Sequence, residues 1–163
     1  MRPRLILFCG IPGSGKTTVA TVLSARLEGS VFVQTDRMRA MIDRPTYTSP
    51  ESKFVYAALI AVGRQALNSG YDTLLEGTFA REEYRGEALA ELSPLATKTT
   101  VVYVFCEPEL AFGRNSGRKE AVPWESFRRI YEQFEEPRGA VRVDTGTESP
   151  EASVEHILSE LKR

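Results

Sequence analysis

At 163 residues, with 42 % apolar and 26 % charged side chains, the chain has the size and composition of one globular domain with a sizeable core. Its formal net charge of −1 means that the overall field of the protein does not attract nucleic acid, so a basic binding surface would have to be local. The N-terminal apolar run is too short for a signal or membrane segment, which predicts a cytoplasmic protein with no membrane partner.

Cysteine and histidine are scarce in the chain. Cys9 and Cys106 both lie in apolar, strand-like runs, which predicts buried free thiols rather than a disulfide or a metal site. His156, the single histidine, stands beside an apolar position of the predicted C-terminal helix and is expected at the surface or in packing. The composition therefore argues against histidine-based catalysis and against a histidine metal cage.

The first predicted elements surround a glycine-rich loop. The apolar run 5–9 (LILFC) predicts a strand buried on both faces of a parallel sheet. The next eight residues, 10–17 (GIPGSGKT), match the phosphate-binding pattern G-x-x-x-x-G-K-[ST]. Apolar residues then recur at helical spacing from Val19 to Leu27. Strand, loop and helix in this order predict a nucleoside triphosphate site.

The residue types in the loop explain how it would bind phosphate. Glycines allow the backbone to turn tightly around an anion, so that N–H groups and the helix N-terminus bind the β-phosphate. We expect Lys16 to bridge the β- and γ-phosphates and the Thr17 hydroxyl to bind Mg²⁺, which makes ATP and Mg²⁺ the predicted cofactors. The predicted nucleotide-binding residues are Gly10, Pro12, Gly13, Ser14, Gly15, Lys16, Thr17 and Thr18.

After the first helix the chain alternates between strand and helix patterns. Strands are predicted at 31–33, 73–76, 99–105 and 140–144, and helices at 36–42, 49–68, 81–92, 108–119 (its end loop-like), 124–135 and from 149 onward. Asp36 is expected at or near the N-cap of its helix, and Ser49 as the cap of the next. The predicted buried face of the 49–68 helix is formed by Val55, Leu59, Val62 and Ala66.

Five strands alternating with helices predict a five-stranded parallel sheet covered on both faces, which is a three-layer α/β/α fold. No repeat or linker divides residues 1–163, so we expect one domain. Ligands of such sheets bind at the carboxyl ends of the strands. The residues expected along this edge are Gly10, Asp36, Glu76, Glu107 and Asp144, with Asp144-Thr145-Gly146 lining an adenine pocket.

Asp36 and Arg39 are three residues apart on a short helix and so lie on one side of it. An alcohol acceptor needs a carboxylate that orients it and accepts its proton, and an arginine beside it would hold an anionic part of the acceptor or the transferred phosphoryl group. A simple helix cap with an exposed ion pair is the alternative.

Glu76 ends an apolar strand, where a phosphate-loop protein often has a second carboxylate that reaches Mg²⁺ through water or orients the attacking group. Glutamate at this position also suits a base for a hydrolytic water, so an ATPase remains an alternative. A carboxylate that is merely solvated at a strand end is the third interpretation.

Arg114, Asn115, Arg118 and Lys119 form a basic cluster before an amphipathic helix. In a phosphoryl transferase such arginines belong to a lid that closes over the triphosphate and excludes water. The cluster predicts a small helical lid at about 108–137, with Arg114 also contacting the nucleotide. A solvated basic helix end is the alternative.

Three segments also carry a family resemblance: the loop 10–17, the segment 35–39 (TDRMR), and the segment 114–118 (RNSGR) with its continuation to 122–123 (VP) and 134–137 (FEEP). Over nearly its whole length the chain resembles the small P-loop kinases of the polynucleotide 5′-kinase and seryl-tRNA kinase type. The resemblance implies a nucleoside-monophosphate-kinase-like P-loop NTPase fold. It also implies Asp36 as general base, Arg39 as ligand of an acceptor phosphate, and Arg114 and Arg118 as lid arginines.

The sequence thus predicts a Mg·ATP-dependent kinase that moves the γ-phosphate to a hydroxyl acceptor. Lys16, Asp36, Arg39, Arg114 and Arg118 are the expected catalytic residues, and Thr17 and Glu76 the expected metal ligands. A 5′-hydroxyl of RNA or DNA is the favoured acceptor. The alternatives are a small-molecule kinase acting on a nucleoside, sugar or antibiotic, and a regulatory P-loop ATPase that acts on a protein partner. The sequence does not determine the oligomeric state.

Overall fold

A computed structural model describes residues 3–162, and within them the strands form a single sheet. The strands are β1 (Arg4–Cys9), β2 (Val31–Gln34), β3 (Thr73–Glu76), β4 (Lys98–Phe105) and β5 (Val141–Asp144). All neighbours are parallel, in the order β2-β3-β1-β4-β5. The predicted five-stranded parallel sheet is confirmed, and β1 lies at its centre.

Helices cover both faces of this sheet. They are α1 (Lys16–Arg26), α2 (Thr35–Arg39), α3 (Ser49–Asn68), α4 (Glu82–Leu92), α5 (Pro108–Ser116), α6 (Trp124–Glu132) and α7 (Pro150–Lys162), with a short 3₁₀ turn at Ser93–Leu95. Helices α1 and α7 pack on one face of the sheet, and α3 and α4 on the other. The architecture is the predicted three-layer α/β/α arrangement.

Strand β1 is apolar throughout because each of its faces lies in a hydrophobic core. Ile6 and Phe8 belong to the core under α1 and α7, whereas Leu5, Leu7 and Cys9 belong to the core under α3 and α4. All five side chains are fully buried. The strand therefore holds its carboxyl end, where the glycine-rich loop begins, in a fixed place.

The prediction for the buried face of α3 is wrong at one position. Val55, Leu59 and Ala66 are buried, but Val62 is 41 % exposed. The helix meets the sheet through Gly63, where an added Cβ atom would lie 3.1 Å from Leu75 Cδ2. This close approach fixes the rotation of α3, and position 62 turns toward solvent.

Several helix ends differ from the predicted ones. Helix α2 begins at Thr35 with Gln34 in the capping position, so Asp36 is its second residue. Helix α3 includes Ser49, and Thr48 takes the capping position that we assigned to Ser49. Helix α6 ends at Glu132, three residues before the predicted end. These differences are one to three residues at helix ends, where hydrogen-bond geometry decides the boundary.

The cysteines and the histidine lie as expected. Cys9 and Cys106 are buried and free, and burial raises the pKa of the Cys9 thiol to about 12. His156 is exposed on α7. Within residues 3–162, no helix is both long and apolar enough to span a bilayer.

Candidate active site

The glycine-rich loop 10–17 joins β1 to α1 and lies between two backbone segments. An added Cβ atom at Gly10 would be 2.1 Å from the Val104 carbonyl oxygen, and one at Gly13 would be 2.0 Å from that of Ala111. Gly13 and Gly15 also have φ angles of +79° and +94°, which side chains of L-residues disfavour. Glycine at these positions lets the loop fit between the end of β4 and α5.

Gly13→Ala is expected to lower the free energy of unfolding by at least about 2 kcal/mol, because it combines a left-handed backbone with contact to a backbone carbonyl. Gly86→Ala is the matched control, since Gly86 lies in α4, is exposed and has nothing within 4 Å of its Cβ position. That substitution should raise stability by about 0.5–1 kcal/mol. Urea unfolding followed by circular dichroism measures both. Equal stability of the two variants would contradict this account of the loop.

The glycine-rich loop contains hydrogen-bond donors that have no acceptor among the described residues. In residues 3–162, the backbone N–H groups of Gly13, Gly15, Lys16 and Thr17 have no hydrogen-bond acceptor, and the buried Ser14 hydroxyl has no partner. The first N–H groups of α1 are part of this set, so the helix dipole adds positive potential there. The donor set fits an anionic group of the size of a phosphate.

Lys16 places a cation inside the loop. Its side chain is buried, and Nζ donates to the Ile11 carbonyl oxygen at 2.9 Å. Burial lowers the pKa of Lys16, while the carboxylates of Glu76 and Asp36 act to raise it and Arg118 to lower it. Glu76 and Asp36, two of the carboxylates expected at this edge of the sheet, are thus among the charged groups that influence the Lys16 ammonium.

Glu76 forms the second part of the site. It is 5 % exposed, and its Oε2 accepts from Thr17 Oγ1 at 3.3 Å and from Gln34 Nε2 at 3.1 Å. The sheet explains the contact, because Gln34 and Phe8 stand opposite Glu76 in the flanking strands. Mg²⁺ in such sites is typically bound by one or two protein oxygens together with substrate phosphates. The Thr17 hydroxyl and the Glu76 carboxylate fit this requirement. Sequence reasoning missed Gln34.

Asp36 and Arg118 approach each other at the mouth of the site. The Arg118 Nη2 to Asp36 Oδ2 distance is 3.7 Å, and the two side chains are 47 % and 71 % exposed. Arg118 follows α5 in the predicted lid, whereas Asp36 lies on α2. The segment after α5 thus reaches α2, and the Asp36 side chain remains largely exposed.

Arg39 is engaged differently from the expectation. Its guanidinium forms an ion pair with Glu51, donates to Ser52 Oγ at 3.5 Å and stacks on the Tyr47 ring at 4.7 Å. The Arg39 and Glu51 side chains are only 13 % and 9 % exposed. An arginine that was expected to be open to an acceptor anion therefore already has a carboxylate partner.

Arg114 connects three parts of the site. It donates to Thr145 Oγ1 at 2.9 Å and to the Thr145 carbonyl at 3.0 Å, while Thr145 Oγ1 donates to the Ser14 carbonyl at 2.7 Å. Helix α5, the loop after β5 and the glycine-rich loop are thereby linked. Thr145 does lie beside the glycine-rich loop, as the expected adenine-side segment would.

The remaining members of the basic cluster have other roles. Asn115 is fully buried and binds the carbonyl and the N–H of Val122 at 2.8 Å and 3.1 Å, which closes the segment 116–122 into a loop. Lys119 is exposed and Glu107 takes the N-cap position of α5. The structure therefore brings Arg114 and Arg118 to the site but not Asn115 or Lys119.

The parallel sheet and the phosphate-binding loop at the end of its central strand define a P-loop NTPase fold. A family model described as an AAA domain matches residues 5–137, and the chain belongs to this family. Both the predicted fold class and the predicted family relationship are confirmed.

Among curated proteins, the chain is similar to Protein KTI12 of Saccharomyces cerevisiae, with 24 % identity over 154 residues that cover 86 % of this chain and 49 % of the relative. It is also similar to L-seryl-tRNA(Sec) kinase of Methanococcus maripaludis, with 21 % identity over 137 residues that cover 82 % of this chain and 53 % of the relative. The chain thus spans about half the length of these curated relatives.

Among solved structures, the chain resembles the APS kinase of Mycobacterium tuberculosis in complex with AMPPNP and APS. The TM-score is 0.80 at 17 % sequence identity, and the match covers 99 % of each chain. At this identity the similarity shows a shared fold.

Proposed function

We propose that this protein is a Mg·ATP-dependent kinase that transfers the γ-phosphoryl group of ATP to a hydroxyl acceptor. The observation that carries the proposal is the glycine-rich loop with its buried Lys16 and its N–H groups that lack an acceptor within residues 3–162, next to the Thr17–Glu76 contact at 3.3 Å. A phosphate-binding loop, a metal-binding pair and an exposed carboxylate at one rim are the parts that phosphoryl transfer requires. Residues 1–163 are proposed as one kinase domain with a lid at about 108–137.

The loop N–H groups and Lys16 would hold the phosphates, with Pro12 shaping the loop and Thr18 in the first turn of α1. Thr17 and Glu76 would hold Mg²⁺, which neutralises phosphate charge when bound. Arg114, which already contacts the loop after β5, would lie beside the nucleotide.

Asp36 would orient the acceptor hydroxyl and accept its proton while the acceptor oxygen bonds to the γ-phosphorus and ADP leaves. Its carboxylate is exposed and contacts only Arg118 among the described residues. Arg118 would exchange this carboxylate for the transferred phosphoryl group as the acceptor arrives, which neutralises charge at the moment of transfer.

The favoured acceptor is a 5′-hydroxyl of RNA or DNA. One curated relative is named L-seryl-tRNA(Sec) kinase, and a tRNA-containing acceptor for a similar protein supports an acceptor that contains a nucleic acid. With a net charge of −1, the protein would engage only the end of such a chain rather than a long stretch of phosphates.

Transfer of labelled phosphate from ATP tests the proposal. The acceptors to compare are 5′-hydroxyl oligonucleotides, tRNA, nucleosides and sugars, with the same oligonucleotide carrying a 5′-phosphate as matched control. We expect labelling of the 5′-hydroxyl oligonucleotide, a rise in ATP turnover with its concentration, and no response to the 5′-phosphorylated control. Labelling of a sugar alone would instead identify a small-molecule kinase.

A regulatory ATPase is the second candidate, and the placement of Glu76 favours it. The buried carboxylate beside Thr17 is positioned to activate water as well as to bind a metal. In that case ATP turnover would rise with a protein partner and no acceptor would be labelled.

A further inference from the structure

We propose that the segment 41–54 binds the base of a nucleoside-bearing acceptor, with the Tyr47 ring as its stacking surface and with Arg39 and Glu51 as the residues that hold Tyr47 in position. This inference rests on the proposed kinase function and specifies its acceptor. It assigns Arg39 a positioning role in place of the expected contact with an acceptor phosphate.

Glu51 fastens the loop that carries Tyr47. Besides its ion pair with Arg39, its carboxylate accepts from the Thr46 hydroxyl at 2.9 Å and from the Tyr47 N–H at 3.1 Å. Desolvation acts to raise the pKa of Glu51, but the hydrogen bonds from Thr46, Tyr47 and Arg39 together lower it, so the carboxylate is charged at neutral pH. The first turn of α3 thereby fixes a loop whose residues are otherwise exposed.

The loop is held in a conformation that the backbone alone disfavours. Arg44 and Tyr47 have φ angles of +55° and +56°, in the left-handed region that residues other than glycine rarely adopt. Such conformations persist where surrounding contacts impose them, and they are concentrated at ligand-binding segments. At Tyr47, the Glu51 carboxylate accepts from the backbone N–H and the Arg39 guanidinium lies over the ring, and these contacts impose the conformation.

The Tyr47 ring is both fixed and open. The Arg39 guanidinium lies 4.7 Å from the ring centroid, and the residue is nevertheless 62 % exposed. Tyrosine in this setting offers a flat, rigid surface that loses little conformational freedom on binding. Because Glu51 neutralises Arg39, the surface attracts a flat apolar group more than it attracts a phosphate.

The segment 41–54 has further exposed apolar side chains, and it follows α2, the helix that contains Asp36. Met41 is 67 % exposed and Phe54 is 55 % exposed in the same segment. Arg39, on which the Tyr47 ring stacks, lies one helical turn beyond Asp36, so the ring is held by the same helix that contains the proposed base. A nucleoside acceptor would place its hydroxyl at Asp36 and its base at Tyr47.

Fluorescence binding tests the site independently of catalysis. The probe is a short 5′-hydroxyl oligonucleotide with 2-aminopurine as its first base, titrated with the full chain in the presence of Mg·ADP. In the parent we expect quenching of the 2-aminopurine by stacking. Tyr47→Ala should abolish the quenching and weaken binding roughly 10-fold or more, whereas Tyr47→Phe should keep both.

Tyr71→Ala is the matched control. Tyr71 is 47 % exposed, but it precedes β3 and so lies at the amino edge of the sheet, away from the site. We expect parental affinity and quenching for this variant. Loss of binding in Tyr71→Ala equal to that in Tyr47→Ala would overturn the inference.

Glu51→Gln tests the positioning role of the pair. Without the charged partner the loop should lose its fixed conformation, so quenching should fall and the acceptor KM should rise several-fold while kcat stays near the parent value. A loss in Arg39→Ala that is confined to 3′-phosphorylated acceptors would show phosphate recognition by Arg39 and would overturn the inference.

The outcomes separate this inference from the proposed function. Quenching that depends on Tyr47 without labelling of any acceptor would support the base site and reject the kinase. Labelling of oligonucleotides with Tyr47→Ala indistinguishable from the parent would support the kinase and reject the base site. Absence of oligonucleotide binding by the parent would also reject the base site.

Discussion

Lys16→Ala is expected to lower phosphoryl transfer at saturating ATP and acceptor by about 10²-fold or more. The reason is the position of the ammonium, which is buried in the loop and bound to the Ile11 carbonyl, a contact that a phosphate oxygen can replace. In the described residues no other cation occupies the interior of the loop, so none takes over its charge as the phosphoryl group moves. Single-turnover transfer of labelled phosphate measures the loss.

The variant should remain folded. In this variant the Ile11 carbonyl loses the Lys16 donor but still accepts from the Ser14 N–H at 3.2 Å. The substitution also removes the free-energy cost of burying the Lys16 ammonium. Lys98→Ala serves as control. Lys98 is the first residue of β4, at the amino end of the strand, and it donates to the Glu160 and Leu161 carbonyls of α7. The control variant should transfer phosphate at the parental rate with modestly lower stability. Parental transfer by Lys16→Ala would refute the assignment of the loop.

Asp36→Asn is expected to lower turnover by roughly 10²–10⁴-fold with little change in ATP affinity. The amide keeps the size of the carboxylate but cannot take up the hydroxyl proton. Stability should hardly change, because the Asp36–Arg118 pair is exposed and such pairs contribute little. Steady-state kinetics with the labelled acceptor, together with equilibrium ATP binding, separate the two effects.

Two further variants complete this test. Glu155→Gln alters another exposed carboxylate that pairs with an arginine, Arg26, and should leave turnover unchanged. Glu76→Gln should weaken the metal dependence of turnover, because Glu76 contacts the Thr17 hydroxyl. If Asp36→Asn retained activity while Glu76→Gln abolished it, the base would be Glu76, and the regulatory ATPase would become the better account.

The sequence predicts the sheet and the phosphate-binding loop well because their signals are local. Strand β1 is an unbroken apolar run since it is buried on both faces, and the loop needs glycine, lysine and threonine at fixed spacing. The placement of Asp36 and Glu76 at one rim follows from a general property of parallel sheets, in which the carboxyl ends of the strands share an edge.

The contacts that sequence reasoning missed depend on which elements are neighbours. Gln34 binds Glu76 only because β2 lies beside β3. The sequences of the two strands do not indicate that they are neighbours. Val62 is exposed because Gly63 makes the close contact with the sheet, which requires knowing where α3 crosses Leu75.

Arg39 illustrates a second limit of prediction from the sequence. Its partner Glu51 is twelve residues away, across a loop with left-handed residues at Arg44 and Tyr47, which are not residue types that signal such a conformation. The three-residue spacing of Asp36 and Arg39 identified the position of the arginine but contained no information about its counter-ion.

The buried Asn115 limits how far Arg118 can move. Because Asn115 binds Val122 through both its amide groups, the two ends of the segment 116–122 are tied together while α5 abuts Gly13. The Arg118 N–H also donates to the Asn115 carbonyl at 3.0 Å, and three residues of chain span at most about 10 Å, so the Arg118 backbone stays close to Asn115. The Arg118 side chain can therefore exchange a carboxylate for a neighbouring phosphate without any displacement of α5 or α6.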